Sequence, residues 1–429
     1  MKDGFIRVAA AAPKVSSADC EGNTRQILRC MEQAAAQGAA LLVLPEHSIT
    51  GYALGDLFLQ HTLQEAAERS LCMLIEASAG IDTVVAVGLP VRRNASLYSC
   101  AAVFQRGRLL GVVPKLHLPN YAEFYEARHF RSGRGLSGSV RLAGFEAPFG
   151  ADLIFECGEL PDFKIGIEIC EDLWVPCPPS AALAQAGATV IANLSASPFV
   201  TGKQEYRSGL VRSQSARCIA GYIYSSSGEG ESSTDLVFAG HLMISENGRM
   251  LGEALRSGMI INDLDTQLLT SERRRMTTFA GDEGAFRTVP FSVERRQYDA
   301  LKRPVERHPF VPEEGRLYRQ RCAEVLDIQS AGLAQRLRHT HAKTAVVAVS
   351  GGLDSTLALL VAARAVRQYG LDCGISAITM PGPGTTQRTK GNADALCAEL
   401  HAGLRTIPIS QALELHLKDI GHGDSHDVT

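Results

Sequence analysis

The stretch that most constrains this chain is FKIGIEICEDLW, from Phe163 to Trp174. Phe163, Ile165, Ile167 and Ile169 alternate with Lys164, Gly166 and Glu168. A period of two predicts a strand with one buried face. The run stops at Cys170, and Glu171 and Asp172 follow at once. Cysteine is among the most commonly buried residues, so an inert core thiol is the ordinary reading of such a position. A thiol at a strand end beside a carboxylate-rich turn is also a candidate nucleophile. The rest of the chain decides between the two.

Two further apolar runs end in the same manner. Leu41 to Leu44 read as a strand buried on both faces; Pro45 ends it and Glu46 follows. Leu109 to Val113 end in Pro114 and then Lys115. A charge at one strand end is ordinarily solvated. A carboxylate, an ammonium and a thiol, each just past a strand, are a different matter, because α/β folds assemble sites in the loops after strand ends. A thiol titrates near ~8.5 and a neighbouring cation lowers that value. Lys115 supplies such a cation and can stabilise an oxyanion. Glu46 can take the thiol proton and return it to a leaving amine. The three together suit attack on a carboxamide with release of ammonia.

The surrounding pattern alternates strands and helices. Strands are predicted at Phe5–Ala12, Val84–Leu89, Ser99–Phe104, Tyr222–Ser227, His241–Ser245 and Ile260–Leu264, and helices at Asn23–Gln37, Leu63–Ser78 and Tyr206–Ala220. Glu246-Asn247-Gly248 is a hairpin turn signal. From Asp265 the pattern degrades. The charge run Ser271 to Arg275 reads as a solvated face, and Pro290, Pro304, Pro309 and Pro312 punctuate a linker that wraps rather than packs by itself. His339 and His341 have no partner at metal-ligand spacing.

A second apparatus follows. Leu317 to Arg338 has helical spacing, Ala345 to Val349 is a short buried strand, SGGLDS spans Ser350 to Ser355, and Thr356 to Val366 is an apolar helix. A strand, a glycine turn and a helix N-terminus make an anion site of backbone N–H groups. Gly351 and Gly352 permit close approach. No GK[ST] follows, so this is not a Walker loop.

Composition excludes several classes. The 429 residues suggest two or three domains, and 43 basic against 46 acidic residues give a net charge of −3 that calls for neither nucleic acid nor an anionic membrane. Eleven scattered cysteines without a CxxC pair argue against zinc and disulfides and for a reducing compartment, hence a cytoplasmic protein. No apolar run approaches a membrane span, and the N-terminus has no cleavable signal pattern.

LPEHSITGY, PKLHLPNYAEFYEARHF, GIEICEDLW and NLSASPF resemble the four signature segments of the nitrilase (carbon–nitrogen hydrolase) superfamily. In form they resemble the glutaminase domain of glutamine-dependent NAD synthetases. SGGLDS resembles the pyrophosphate loop of ATP-pyrophosphatases, and ITMPGPGTTQRTKGNADALCAEL from Ile378 resembles the corresponding stretch of NAD synthetases.

The resemblance implies an α/β fold: an α-β-β-α nitrilase-type sandwich, then a partial Rossmann-like domain of the adenine-nucleotide hydrolase type. The divisions are 1–268 for the glutaminase domain, 269–315 for the linker and 316–429 for an incomplete synthetase domain. It implies a Glu46–Lys115–Cys170 triad. A second carboxylate is implied at Glu126, with Glu123 kept open, and glutamine contacts at Tyr52, Tyr121, Glu171 and Ser197. ATP positions fall on Ser350, Gly351, Gly352, Asp354, Ser355, Met380, Thr386, Arg388, Thr389 and Asn392, with Pro383 where an aromatic is expected. Implied partners are L-glutamine, ATP with Mg2+, and deamido-NAD, in a homo-oligomer; no residue is assigned to the metal.

Ammonia from glutamine would displace AMP from adenylated deamido-NAD, giving NAD, pyrophosphate and glutamate. Because the chain stops at Thr429 after two or three βα units, the expectation is that it retains only the glutaminase half. The competing readings are a stand-alone nitrilase-type amidase with a vestigial nucleotide-binding stub, and a non-enzymatic assembly subunit.

Overall fold

A computed structural model describes residues 4–234, 236–256, 258–279, 281, 286–311, 315–382 and 385–422. The chain divides into two units, Met1–Val305 and Glu306–Thr429.

The first unit begins with β1 (Phe5–Ala12), α1 (Cys20–Ala36), β2 (Leu41–Val43), α2 (His61–Ala77), β3 (Val84–Arg93), β4 (Ser96–Gln105) and β5 (Arg108–Pro114). Next come β6 (Ser137–Leu142), β7 (Phe145–Gly150), β8 (Leu153–Cys157), β9 (Lys164–Ile169), α3 (Pro179–Gln185), β10 (Val190–Ser195) and α4 (Lys203–Cys218). It closes with β11 (Gly221–Ser226), β12 (Leu242–Glu246), β13 (Arg249–Ala254), β14 (Gly258–Asp265), α5 (Thr266–Arg275) and β15 (Arg287–Phe291). One sheet has the order β14-β1-β2-β3-β4-β5-β7-β6, the other β13-β12-β11-β10-β9-β8-β15.

Strand alternation sorts the side chains into three cores. Ala9, Ala11, Leu42, Val85 and Val87 meet Ile27 and Met31 of α1 and Leu71 of α2. The opposite faces of those strands, with Ile6, Val8 and Val43, meet Ile165, Ile167, Ile169, Ala192 and Ile223 of the second sheet. Ile191, Tyr222 and Tyr224 then face Leu183 of α3 and Val211 of α4. The result is an α-β-β-α sandwich.

Two readings need correction. The strand before Cys170 has two buried faces, not one, because α3 covers the side carrying Glu168, whose carboxylate accepts from the Ser180 N–H at 2.9 Å. The region after Asp265 belongs to the sandwich as far as Val305. β15 pairs in parallel with β8, and Arg7 stacks 3.8 Å from the Tyr298 ring centroid. Arg273, in the run expected to be solvated, donates to the carbonyls of Ile219, Ala184, Ala188 and Cys218 at 2.7–3.4 Å. Buried carbonyls at helix ends need donors, and a guanidinium fork supplies several.

The second unit holds α6 (Arg316–His339), β16 (Thr344–Ala348), α7 (Leu353–Gln368), β17 (Gly374–Thr379), α8 (Gln387–Glu399), β18 (Gly403–Thr406) and α9 (Ser410–Asp419). Its strands are parallel in the order β16-β17-β18. α7 buries Leu359, Val361, Ala362, Ala363 and Ala365. Among the described residues no helix is long and apolar enough to cross a membrane.

The crossing of β3 by the loop after β2 sets the position of Glu46. A Cβ built on Gly88 would lie 2.4 Å from His47 N, 2.6 Å from Pro45 O and 2.7 Å from Glu46 Cα, all backbone atoms that cannot rotate away. Gly88→Ala is therefore expected to destabilise the protein by about 1–3 kcal/mol, in the range for overpacking. Denaturant unfolding of wild type and variant measures it, and an unchanged midpoint would show that the loop yields freely.

Candidate active site

Lys115 stands just past β5, where its N–H donates to Ser99 O at 2.9 Å. Its ammonium is fully buried and donates to Glu46 Oε1 at 2.9 Å and to Glu126 Oε1 and Oε2 at 2.7 and 2.8 Å. Glu46 and Glu126 are buried as well. Glu46 is fixed from both sheets: Ser99 Oγ donates to its Oε1 at 2.8 Å, and its N–H donates to Ser195 O at 3.2 Å. Its other oxygen, Oε2, has no partner among the described residues. Tyr52 donates its hydroxyl to Glu126 Oε1 at 2.5 Å.

These contacts set the charges. Burial opposes the Lys115 charge, but Glu126, Glu46 and Cys170 outweigh it and hold the ammonium's pKa well above the ordinary value. Burial pushes Glu126 up to about 7, against Lys115 and with help from Glu46.

Cys170 opens a short 3-10 turn after β9 with φ +48°, the left-handed region that costs a non-glycine residue about 1–3 kcal/mol. It is buried, with Sγ 4.0 Å from Ala196 O. Burial pushes its thiol up to about 12; Glu46 and Glu126 add to the shift and Lys115 opposes it. The resting thiol is therefore protonated and needs a base within reach.

Asp172 holds this strained turn. Its carboxylate accepts from Ile169 N–H at 3.1 Å, His117 N–H at 2.9 Å and His117 Nδ1 at 2.8 Å. Arg134 Nη2 lies 2.6 Å from His117 Nε2, so Nε2 accepts and Nδ1 carries the proton. One buried carboxylate thus ties the thiol's turn to the segment after Lys115.

Four expected glutamine contacts surround the triad. Ser197 is buried and Tyr52 half-buried. Tyr121, largely exposed, donates its hydroxyl to Glu171 Oε1 at 2.9 Å, and burial raises the Glu171 pKa. Glu126, not Glu123, reaches Lys115; Glu123 lies near Lys203 instead. A cavity lined by Tyr52, Phe124, Glu126, Phe130 and Phe238 adjoins these groups.

Sequence reasoning missed four participants. Lys203, the first residue of α4, lies 5.3 Å over the Trp174 ring, feels Glu123, Cys170 and Glu171, and has its pKa lowered by burial. It follows the NLSASPF segment closely, which was the available signal. Asp172 was visible in CEDLW. Nothing in the sequence separates Ser99 from other strand serines, or Arg207, whose guanidinium binds Ser197, from other helix arginines.

In the second unit, Ser350 N–H donates to Ser355 Oγ at 3.2 Å, and Ser355 Oγ donates to Gly352 O at 3.0 Å, which shapes the loop at the start of α7. Gly351 has φ +81°, and a Cβ there would lie 2.0 Å from Thr389 O. The loop and the first turn of α8 therefore adjoin. Thr386 caps that helix by accepting from Thr389 N–H at 3.2 Å. Asp354, Arg388 and Asn392 are exposed, as is Met380 just past β17. Pro383 lies outside the described residues. Among the described residues no group of three or more His, Cys, Asp and Glu is placed to hold a metal ion, so the magnesium expected with ATP has no assigned ligands.

The chain is similar to characterised proteins along both units. A carbon–nitrogen hydrolase model matches residues 7–274 and a NAD synthase model residues 325–428. The glutamine-dependent NAD(+) synthetase of Mycobacterium tuberculosis is 44% identical over 99% of this chain and 65% of its own length. That of Aquifex aeolicus is 27% identical, over 97% and 68%. The chain thus spans about two thirds of the length of these relatives.

Among solved structures, a glutamine-dependent NAD(+) synthetase from Cytophaga hutchinsonii aligns with TM-score 0.55 at 22% identity, over 97% of this chain and 67% of that one. A nitrilase-superfamily amidase from Nesterenkonia aligns with TM-score 0.51 at 19% identity, over 64% and 96%. The expectation that only a glutaminase half is retained is corrected, since the NAD synthase match begins in α6 and runs through the phosphate loop. With a matching model over residues 7–274 and the four-layer sandwich beneath it, the chain belongs to the carbon–nitrogen hydrolase family.

Proposed function

We propose that this chain carries the glutamine-hydrolysing centre and the ATP phosphate loop of a glutamine-dependent NAD synthetase. The observation that carries the reading is the buried Lys115 ammonium held between Glu46 and Glu126 beside the Cys170 thiol. The NAD synthase match over 325–428 favours it over a stand-alone amidase.

In this reading Cys170 Sγ attacks the carboxamide carbon of glutamine. The thiol proton passes to Glu46, whose Oε2 is the carboxylate oxygen left without a partner among the described residues. Lys115 offsets the negative charge that develops on the carbonyl oxygen. Glu46 returns the proton to the leaving nitrogen, the C–N bond breaks, and ammonia and a glutamyl thioester result. Water, deprotonated by the freed carboxylate, then splits the thioester to glutamate and thiol. Glu171 and Tyr121 suit the substrate's α-ammonium, and Lys203 with Ser197 its α-carboxylate. In the other unit, the Ser350–Ser355 loop cradles ATP phosphates at the α7 N-terminus. ATP adenylates the nicotinate carboxylate of deamido-NAD with loss of pyrophosphate, and ammonia displaces AMP to give NAD.

Cys170→Ala is expected to abolish glutamate release from glutamine with the melting temperature retained. A glutamyl adduct found at Cys177 or Cys218 in trapping experiments would overturn the assignment.

Glu126 gives a pH signature. Its folded pKa is raised from 4.5 to about 7, so folding favours the neutral acid. That stabilisation is complete below the ordinary carboxylate value and is lost as pH rises through about 7. Glu126→Gln keeps the neutral form at every pH. Denaturant midpoints from pH 5 to 8 should therefore show wild type losing stability relative to this variant, and a constant difference would refute it.

In the second unit, Asp354→Ala and Ser355→Ala should each weaken ATP binding about tenfold, the worth of one charge-assisted or buried hydrogen bond. Calorimetric titration reads it; wild-type affinity in both variants would move the nucleotide site elsewhere.

A further inference from the structure

Arg207 on α4 is among the largest fully buried side chains of the sandwich, and among the described residues no carboxylate touches it. Its Nη1 donates to Ser197 Oγ at 2.6 Å and more weakly to Pro198 O at 3.4 Å. Its Nε donates to His241 Nδ1 at 2.9 Å, and Nη2 has no partner among the described residues. The compensating charge is one ring away: His241 Nε2 lies 2.8 Å from Glu253 Oε1. Because Arg207 donates to Nδ1, the imidazole proton sits on Nε2 and points to Glu253. Carboxylate, imidazole, guanidinium and hydroxyl form one directed series.

A buried cation with an unpartnered nitrogen is costly to the fold, and well-packed apolar residues commonly serve stability as well or better. The far end of the series shows what the cost sustains. Ser197 Oγ accepts from Arg207, so the lone pair facing the guanidinium is used and the hydroxyl proton is left to donate. A charge-assisted bond to the oxygen strengthens that donor. Lys203, one turn earlier on α4, feels both Arg207 and Cys170, and the Tyr224 hydroxyl feels Arg207, Cys170 and Ser197. This corner of the site is positive, while the Glu171–Tyr121 corner carries the carboxylate.

We propose that Arg207, oriented by His241 and Glu253, is a positioning residue that fixes Ser197 as a hydrogen-bond donor to the α-carboxylate of an amino-acid amide. It selects that substrate over amides lacking the carboxylate. The inference rests on the glutamine reading above, and it assigns to Arg207, His241 and Glu253 a binding role exercised only through Ser197. They take no part in bond breaking, so their loss acts on KM and not on turnover at saturation.

Steady-state glutamate release tests it in wild type, Arg207→Met, Arg207→Lys and Glu253→Gln. Arg207→Met should raise KM for glutamine about ten- to a hundredfold, the worth of a hydrogen bond to a charged group. Its kcat should stay within about threefold, as expected when uniform binding is lost. Arg207→Lys should recover part of the loss, and Glu253→Gln should raise KM by a smaller factor. An unchanged KM in Arg207→Met, or a kcat that falls as far as KM rises, would overturn the positioning role. Should Arg207→Met fail to fold, an unchanged KM in Glu253→Gln overturns it instead. Wild type releasing no glutamate from glutamine would sink the glutamine reading itself, a result distinct from active wild type with indifferent variants.

Discussion

The site depends on one buried ammonium. Lys115 lies between Glu46 and Glu126, with every donor directed at a carboxylate oxygen. Two carboxylates and one cation leave a net negative charge in a low-dielectric interior. That is why burial drives Glu126 upward while Lys115 is held firmly charged. Removing Lys115 leaves its two carboxylates without a buried counter-charge, a loss on the order of 3–5 kcal/mol. The same imbalance suits amide cleavage, because a group that readily holds one more proton can take it from a thiol and give it to a leaving amine.

This arrangement requires both sheets to be in register. Glu46 and Lys115 follow strands of one sheet, and Cys170 follows a strand of the other. Gly88 lets the Glu46 loop cross β3, and the Glu46 N–H reaches across to Ser195 O. Asp172 makes the reciprocal tie from the thiol's turn to His117. A shift of one residue in either sheet would turn every inward side chain to the other face, so the core between the sheets and the site enforce each other.

The sequence displayed the strands as periods and apolar runs, and it displayed the proposed triad because Glu46, Lys115 and Cys170 each sit just past a strand. Glu46, Lys115 and Glu126 were legible as residues, but their mutual contacts were not. Those contacts join positions 69 and 11 residues apart through tertiary packing alone. The one-sided reading of β9 failed because Gly166 and Glu168 look solvent-facing until α3 is placed over them, with Glu168 satisfied by Ser180 N–H and Tyr222. The linker reading failed beyond Asp265 because a five-residue strand containing Pro290 gives little period, yet β15 pairs at the edge of the sheet, where proline is tolerated. Arg273 looked solvated because charge runs usually are; the carbonyls it caps belong to residues up to 89 positions away.

Lys115 and Arg207 are both buried cations of the sandwich, and the way each is neutralised separates their work. Lys115 touches its carboxylates directly, so its charge is coupled to their protonation and to the thiol. Arg207 meets its carboxylate only through an imidazole, which keeps Glu253 away from Ser197 and leaves the guanidinium's field directed at one hydroxyl. A cation meant to join proton transfer belongs in contact with acids and bases whose pKa values are near neutral. A cation meant to orient a donor belongs behind a neutral spacer, where no proton it controls can be lost to the reaction. The sandwich supplies both from different elements: the strand end carrying Lys115, and the helix carrying Arg207.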